Sequence, residues 1–308
     1  MAAMPVRIDD DFLATHTSHV SEGVEERAYL FDSGGERCFG LLHLPTAGPQ
    51  DTGYAVCHSY GDEFQNLRRT ERAVARALAS RGFPVLRFDR RGFGDSDGSL
   101  AEATLERQLE DVRAALSHLA RATGVTHLGL AGARFGGLVA GLVAREGDTD
   151  RLILMNPAVR GGQYLNQLIK QTRITQLSTA GAPPRSLRDL MDELDATGMV
   201  NVIAHPLHRH LYGAVQHVDL SADMGGFRGE ALVMHATKGT GVPEPVEALR
   251  RAIEASGGTC RVELVEEPRG VAFGQASVAG SSDPVVREYL YEPMDLRIAE
   301  IVRAWVGR

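Results

Sequence analysis

Short apolar runs alternate with longer amphipathic stretches through most of this 308-residue chain. That alternation constrains the fold more than any single motif. Short apolar runs bounded by turn signals read as buried strands, and apolar residues at helical spacing read as helices. AYLFDS and CFGLLHLP, around residues 28–45, form an expected hairpin around SGGE. GYAVCHS (53–59), FPVLRFD (83–89), THLGLAG (126–132), RLILMNP (151–157), EALVMHA (230–236) and TCRVELVEE (259–267) read as strands. Helices are expected over 68–82, over 103–123, from a turn at Arg134 to about Arg145, over 243–256, and in DLRIAEIVRAWVG near the end. Such a succession predicts an α/β protein with a mostly parallel sheet covered on both faces. The pattern breaks over 159–222, which is rich in Gln, Arg, His and Met and shows no strand-like run. This segment is expected to be a helical cap or lid inserted between two parts of one core, 1–158 and 223–308.

Composition narrows the function. The net charge of -7 argues against a nucleic-acid or anionic-membrane surface. No apolar run approaches the ~20 residues of a membrane span. The N-terminal stretch MAAMPVRIDDDFLATH lacks the apolar centre of a signal peptide. Cys38, Cys57 and Cys260 are widely spaced and form no framework. A cytoplasmic location is expected, and a homodimer stays open. HPLHRH (205–210) with His217 invites a metal reading, but no nearby Cys or tight carboxylate pattern joins it. A polar helix is the expectation there, with no metal. The loop GFGDSDG lacks the GK[ST] ending of a nucleotide-binding loop, so no cofactor is expected and Asp95 and Asp97 read as turn residues. RRTER (68–72) reads as a solvated helix face.

The stretch GLAGARFGGLVAG (129–141) runs from a strand through a tight turn into a helix. It resembles the nucleophile elbow G-x-S-x-G of the α/β-hydrolase superfamily. FPVLRFDRRGFGDSDG (83–98) resembles the strand and Gly-rich loop that precede that elbow, and CHSYGDE (57–63) stands where the superfamily carries its oxyanion loop. The resemblance covers nearly the whole chain outside 159–222 and implies the α/β-hydrolase fold with an inserted helical cap. A narrower resemblance is to the exosortase-system-associated branch. Glu63 with Phe64, then Arg69, the G-x-R-x-G elbow at Arg134, and GGQYLNQLIKQ (161–171) carry it.

Against the superfamily pattern, three positions lack their chemistry. Arg134 replaces the serine, and a guanidinium stays protonated and cannot attack a carbonyl. After EALVMHA the acid position holds Gly239, and no carboxylate comes before Glu244. After TCRVELVEE the base position holds Ala272, and no histidine follows His235. A Ser-His-Asp mechanism is therefore not expected.

An arginine at a helix N-terminus calls for an anion, because the helix dipole disfavours a bare cation there. The candidates are Glu63 and an external ligand. Arg134, His58 and Glu63 are the candidate catalytic residues, with Arg134 stabilising charge and His58 or Glu63 handling protons. Ser59, Tyr60, Phe135 and His235 are candidate substrate-binding residues. His58 also reads as loop structure, and Cys57 as a buried strand residue. Two functions stand open. One is a non-serine enzyme acting on a small acyl, carboxylated or carrier-linked substrate by hydrolysis, acyl transfer, lyase or cyclisation chemistry. The other is a non-catalytic binding or scaffold protein on the same fold.

Overall fold

The computed structural model describes residues 19–21, 23–178, 185–203, 205–222, 224–267, 273–274 and 284–307. Ala272 and the first residues of the chain lie outside this set.

The hairpin reading holds over β2 (Val24–Ser33) and β3 (Glu36–Pro45), with the short β1 (His19–Ser21) on its outer edge. Gly34 and Gly35 turn it at φ 62° and 85°, the left-handed pair that a tight hairpin requires. The remaining strands are β4 (Thr52–Cys57), β5 (Val85–Phe88), β6 (His127–Ala133), β7 (Arg151–Met155), β10 (Glu230–Thr237) and β11 (Thr259–Glu266). Together they form a nine-stranded sheet in the order β1-β2-β3-β5-β4-β6-β7-β10-β11. From β5 to β11 every neighbouring pair is parallel, so all these strands present their C-terminal ends at one edge.

Helices cover both faces. On one side α1 (Asp62–Ala79) and α8 (Pro284–Val306) bury Leu67, Val74, Leu78, Ile298 and Val302 against Tyr54, Val56, Ala131 and Ile153. On the other lie α2 (Leu105–Thr123), α3 (Arg134–Ala144) and α7 (Glu244–Ala255), which pack Val112, Leu138 and Leu249 against Leu86, Leu130 and Leu152. Thr104 caps α2 by accepting from the Arg107 amide, and Gly124 stops it in the left-handed conformation. Helix α1 starts at Asp62, six residues before the expected 68, because Gly61 at φ 63° turns the chain directly out of the loop after β4. RRTER is not a solvated face. Thr70 and Glu71 are buried, Thr70 on Asp295 of α8 and Glu71 on His58.

Between β7 and β10 the chain forms α4 (Gly161–Ser178), α5 (Leu187–Thr197), an antiparallel pair β8 (Met199–Val202) and β9 (His205–His208), and α6 (Arg209–Val215). The expected all-helical insertion thus contains strands, and HPLH is β9 instead of a polar helix. Pro206 explains this: it lacks a backbone N–H and pushes the preceding residue out of the helical region. Val200 and Val202 are buried while Asn201 is exposed, the period-two signature of a strand.

Candidate functional site

The elbow is built by close backbone approach. A Cβ on Gly136 would lie 2.1 Å from the Cys57 carbonyl oxygen, and one on Gly132 would lie 2.4 Å from the Gly136 carbonyl oxygen. Glycine at both positions lets α3 start directly on the ends of β4 and β6. The chain between them turns at Arg134, whose φ is 50°. A long side chain in the left-handed region is strained, and the surroundings must hold it there. A second such residue, Asn156 (φ 45°), ends the adjacent β7, and its amide is fixed by the Met234 carbonyl at 2.6 Å.

Three chain segments meet on the Arg134 side chain. Its Nε donates to Glu63 Oε1 at 2.8 Å, one Nη donates to the Asn156 carbonyl at 3.4 Å, and the other to Gln167 Oε1 at 3.2 Å. The guanidinium also lies over the Tyr164 ring, 5.5 Å from its centre. Glu63, in the first turn of α1, is 5% exposed and is filled from both sides. Its Oε2 accepts from Ser59 Oγ and from Tyr164 Oη, each at 2.9 Å. Burial opposes the arginine's charge, but Glu63 outweighs it and the guanidinium pKa is raised. Burial and the adjacent carboxylate likewise keep the Tyr164 hydroxyl protonated. The cation that α3 disfavours at its N-terminus is thereby offset by an anion at the N-terminus of α1, where the dipole favours it.

Arg134 nevertheless opens onto solvent through a cleft of about 150 Å³. Asn156, Gln163, Gln167 and His235 give this cleft its polar wall, and Pro157, Val159, Pro243 and Val246 its apolar one. Arg160 stands at its rim, tied to Asp219 at 3.3 Å and to Glu244 at 2.8 Å. Glu244, the first carboxylate after β10, is thus engaged away from Arg134. His235 is half-buried at the end of β10, and its Nδ1 has no hydrogen-bond partner. Burial and the charge of Arg134 lower its pKa against the opposing pull of Glu267, so its ring is neutral near pH 7.

The other sequence candidates do not line this cleft. The structure does not bring His58 to this cleft. Its Nδ1 is in short contact with Glu71 and its Nε2 lies 3.5 Å from Asp89, with all three side chains buried. Ser59 is fully buried and serves Glu63. Tyr60 is buried, and its hydroxyl donates to the Pro206 carbonyl of β9. Phe135 is 1% exposed and stacks on Tyr164, so it supports the site from beneath. Cys57 is buried and its thiol is pushed up to about 12 by desolvation, which rules out a thiolate at neutral pH. Gly239 lies in an exposed turn after β10. Gly274 packs on the elbow, where a Cβ would come within 3.5 Å of both Glu63 and Arg134. Arg134, Glu63, Ser59 and His235 are therefore brought together, and Tyr164, Gln167 and Asn156 join them without having been singled out from the sequence. The sequence signals for Tyr164 were its place at the opening of the inserted segment and its position in GGQYLNQLIKQ (161–171), which carries the narrower resemblance. Among the described residues no cluster of three or more His, Cys, Asp or Glu side chains could hold a metal ion. Among them, too, no helix is long and apolar enough to cross a membrane.

Residues 54–196 match the Hydrolase_4 family model, described as serine aminopeptidase S33. No curated protein matches the chain. Several solved structures do. Est1E from Butyrivibrio proteoclasticus, in a complex with ferulic acid, is 20% identical over 88% of this chain and 100% of its own, with a TM-score of 0.53. An α/β serine hydrolase without a lid from Xanthomonas campestris is 15% identical over 92% and 94%, with a TM-score of 0.53. A serine hydrolase homologue from Coxiella burnetii is 14% identical over 90% and 95%, with the same TM-score. The fold is the α/β-hydrolase fold.

Proposed function

We propose that the Arg134 cleft binds a small carboxylated or acyl compound, free or attached to a carrier, and acts on it without a covalent serine step. The observation that carries this reading is a cation held at the elbow by a buried carboxylate while still lining an open cleft with a neutral histidine. An arginine in that position can hold a carboxylate by charge-assisted bonds, or stabilise the oxyanion that forms when a carbonyl is attacked. His235 is the cleft residue able to take a proton. In a hydrolytic step the oxygen of water bonds to the acyl carbon and its proton passes to His235. The bond to the leaving group then breaks, and the leaving group receives that proton.

The backbone strain at Arg134 and Asn156 supports a built site, since strain of this kind persists where surroundings enforce it. The likeness of residues 54–196 to the serine aminopeptidase model supports a hydrolase-type reaction. The resemblance to the exosortase-system-associated branch supports an arginine elbow as an inherited feature. In this reading residues 159–222 cap the cleft, since Arg160, Gln163, Tyr164 and Gln167 all come from them.

A second reading, a binding protein without turnover, draws on one specific observation. Both residues expected to move protons at the elbow are already committed, Glu63 to three donors and His58 to two carboxylates. A panel of short acyl esters, thioesters and carboxylates, assayed for turnover and by calorimetry, separates the two. Turnover lost in Arg134→Ala and in His235→Gln supports the enzyme. Saturable carboxylate binding that needs Arg134, with no turnover anywhere in the panel, supports the binding protein. Neither turnover nor binding would sink both.

A further inference from the structure

Strand β11 ends the sheet, and among the described residues no strand pairs with its outer edge. Backbone groups alternate in direction along a strand. The amides of Thr259 and Glu267 donate to the carbonyls of Gly229 and Thr237, so the odd-numbered positions face β10. The register with β10 is regular from Thr259 to Glu266. Cys260, Val262 and Leu264 therefore turn their N–H and C=O groups outward, to the side without a ladder. Their side chains are only half-buried, whereas Val233, beside Val262 on β10, is fully buried. An edge of this kind is a template for another strand.

Charges on an edge strand ordinarily block such pairing. Here the two central charges are of opposite sign and stand two residues apart on one face, where Arg261 binds Glu263 of its own strand. That contact uses the guanidinium Nε and Nη2 and leaves Nη1 without an acceptor. The charges that α7 brings near Cys260 lie on the opposite face: Glu247, Arg250 and Glu254, with Arg250 bound to both acids. Glu266 is exposed at the end of the strand.

Two copies of β11 can meet antiparallel about a two-fold axis normal to the sheet. Directly opposed residues then lie on the same face, so both are even-numbered or both odd-numbered. Charge selects among the registers this allows. With Val262 opposite its own copy, Arg261 faces Glu263 of the second copy, and Glu263 faces Arg261. These are non-hydrogen-bonded pairs, in which opposed side chains come closest. Cys260 faces Leu264, and Glu266 faces Gly258. A shift of two residues one way sets Glu263 against Glu263, and the other way Arg261 against Arg261, which is unfavourable.

We infer that this edge is an interface with a second copy of the chain, which joins two nine-stranded sheets into one through antiparallel β11 pairing centred on Val262. It lies apart from the Arg134 cleft and does not depend on how that cleft works.

The experiment is sedimentation velocity on the full chain over a range of concentrations. The wild type should reach twice the chain mass. Arg261→Glu and Glu263→Arg each set like charges opposite one another, and each should weaken the dimer by about tenfold. Mixing these two variants restores opposite charges at both cross-strand pairs and should return the dimer, although neither variant keeps the Arg261–Glu263 contact within its own strand. Val262→Pro removes an outward N–H, which an edge strand tolerates, and should give a folded monomer. If that variant does not fold by circular dichroism, the mixing experiment decides. A wild type that stays monomeric throughout, a dimer that survives both charge variants, or a mixture no more dimeric than its components would overturn the assignment.

Discussion

Arg134 and Glu63 are 71 residues apart in sequence, and their side chains meet at 2.8 Å across the elbow. The strained turn between β6 and α3 is thus occupied by one half of a buried ion pair, with Arg134 14% and Glu63 6% exposed at the side chain.

Removing either partner leaves the other buried and uncompensated. Arg134→Ala should cost about 3 kcal/mol of stability, the range seen when one member of a buried pair is deleted. The double variant Arg134→Ala with Glu63→Gln should recover part of that loss, because the stranded charge is gone. Urea unfolding of the four proteins gives the coupling. Arg134→Lys should not rescue, since an ammonium cannot serve Glu63, Asn156 and Gln167 together with the planar geometry of a guanidinium.

Restoring the serine should not restore a serine hydrolase. On the superfamily resemblance the acid and base positions fall on Gly239 and Ala272, so Arg134→Ser would gain neither partner, and no histidine follows His235. A fluorophosphonate probe should leave it unlabelled at neutral pH. Labelling at the rate of an active esterase would show that another base reaches the elbow.

His58 should behave as a structural residue. His58→Gln removes a ring held between Glu71 and Asp89, leaving two buried carboxylates without it, and should cost about 2–4 kcal/mol. Carboxylate affinity at the Arg134 cleft should change less than about twofold, since the site is built from other segments. Thermal unfolding and calorimetry on the same variant make the comparison.

Acid should weaken the fold before the carboxylates titrate. His43 and His235 both have pKa values lowered below 6.5, mainly by burial, with Arg87 and Arg134 respectively adding to it. The unfolded chain therefore takes up protons first as the pH drops through 6.5. Stability should be level above that point, fall below it, and stop falling on this account once the folded histidines titrate. His235→Gln should flatten its share of the slope in a melting series from pH 8 to pH 5.

The sheet was legible because its strands are nearly pure apolar runs, as in LGLAGA and RLILM, and burial on both faces demands that composition. The elbow was legible because glycine is the only residue that fits where Gly132 and Gly136 touch backbone. The Arg134–Glu63 contact could be anticipated from charge: a cation at a helix N-terminus needs an anion. What the sequence concealed were partners set by packing. Glu71 reads as one more charge in RRTER, and only the docking of α1 on the sheet shows that it faces His58. Tyr164 lies 101 residues from Glu63, and nothing local announces that its hydroxyl ends there. MVNV is too short to separate a strand from a helix without its partner HPLH across the turn.

The three bonds on Glu63 also fix an order of assembly. Its donors lie 4, 71 and 101 residues away, on the loop after β4, on the elbow and on α4. The two distant ones can form only after the central strands have paired and α4 has docked, because closing such long loops is costly until other contacts reward it. The site is then among the last parts of the molecule to form and should be nearly absent from the folding transition state. Arg134 and Tyr164 variants should speed unfolding and leave the refolding rate almost unchanged, so this cluster sets how long the native protein lasts more than how quickly it appears.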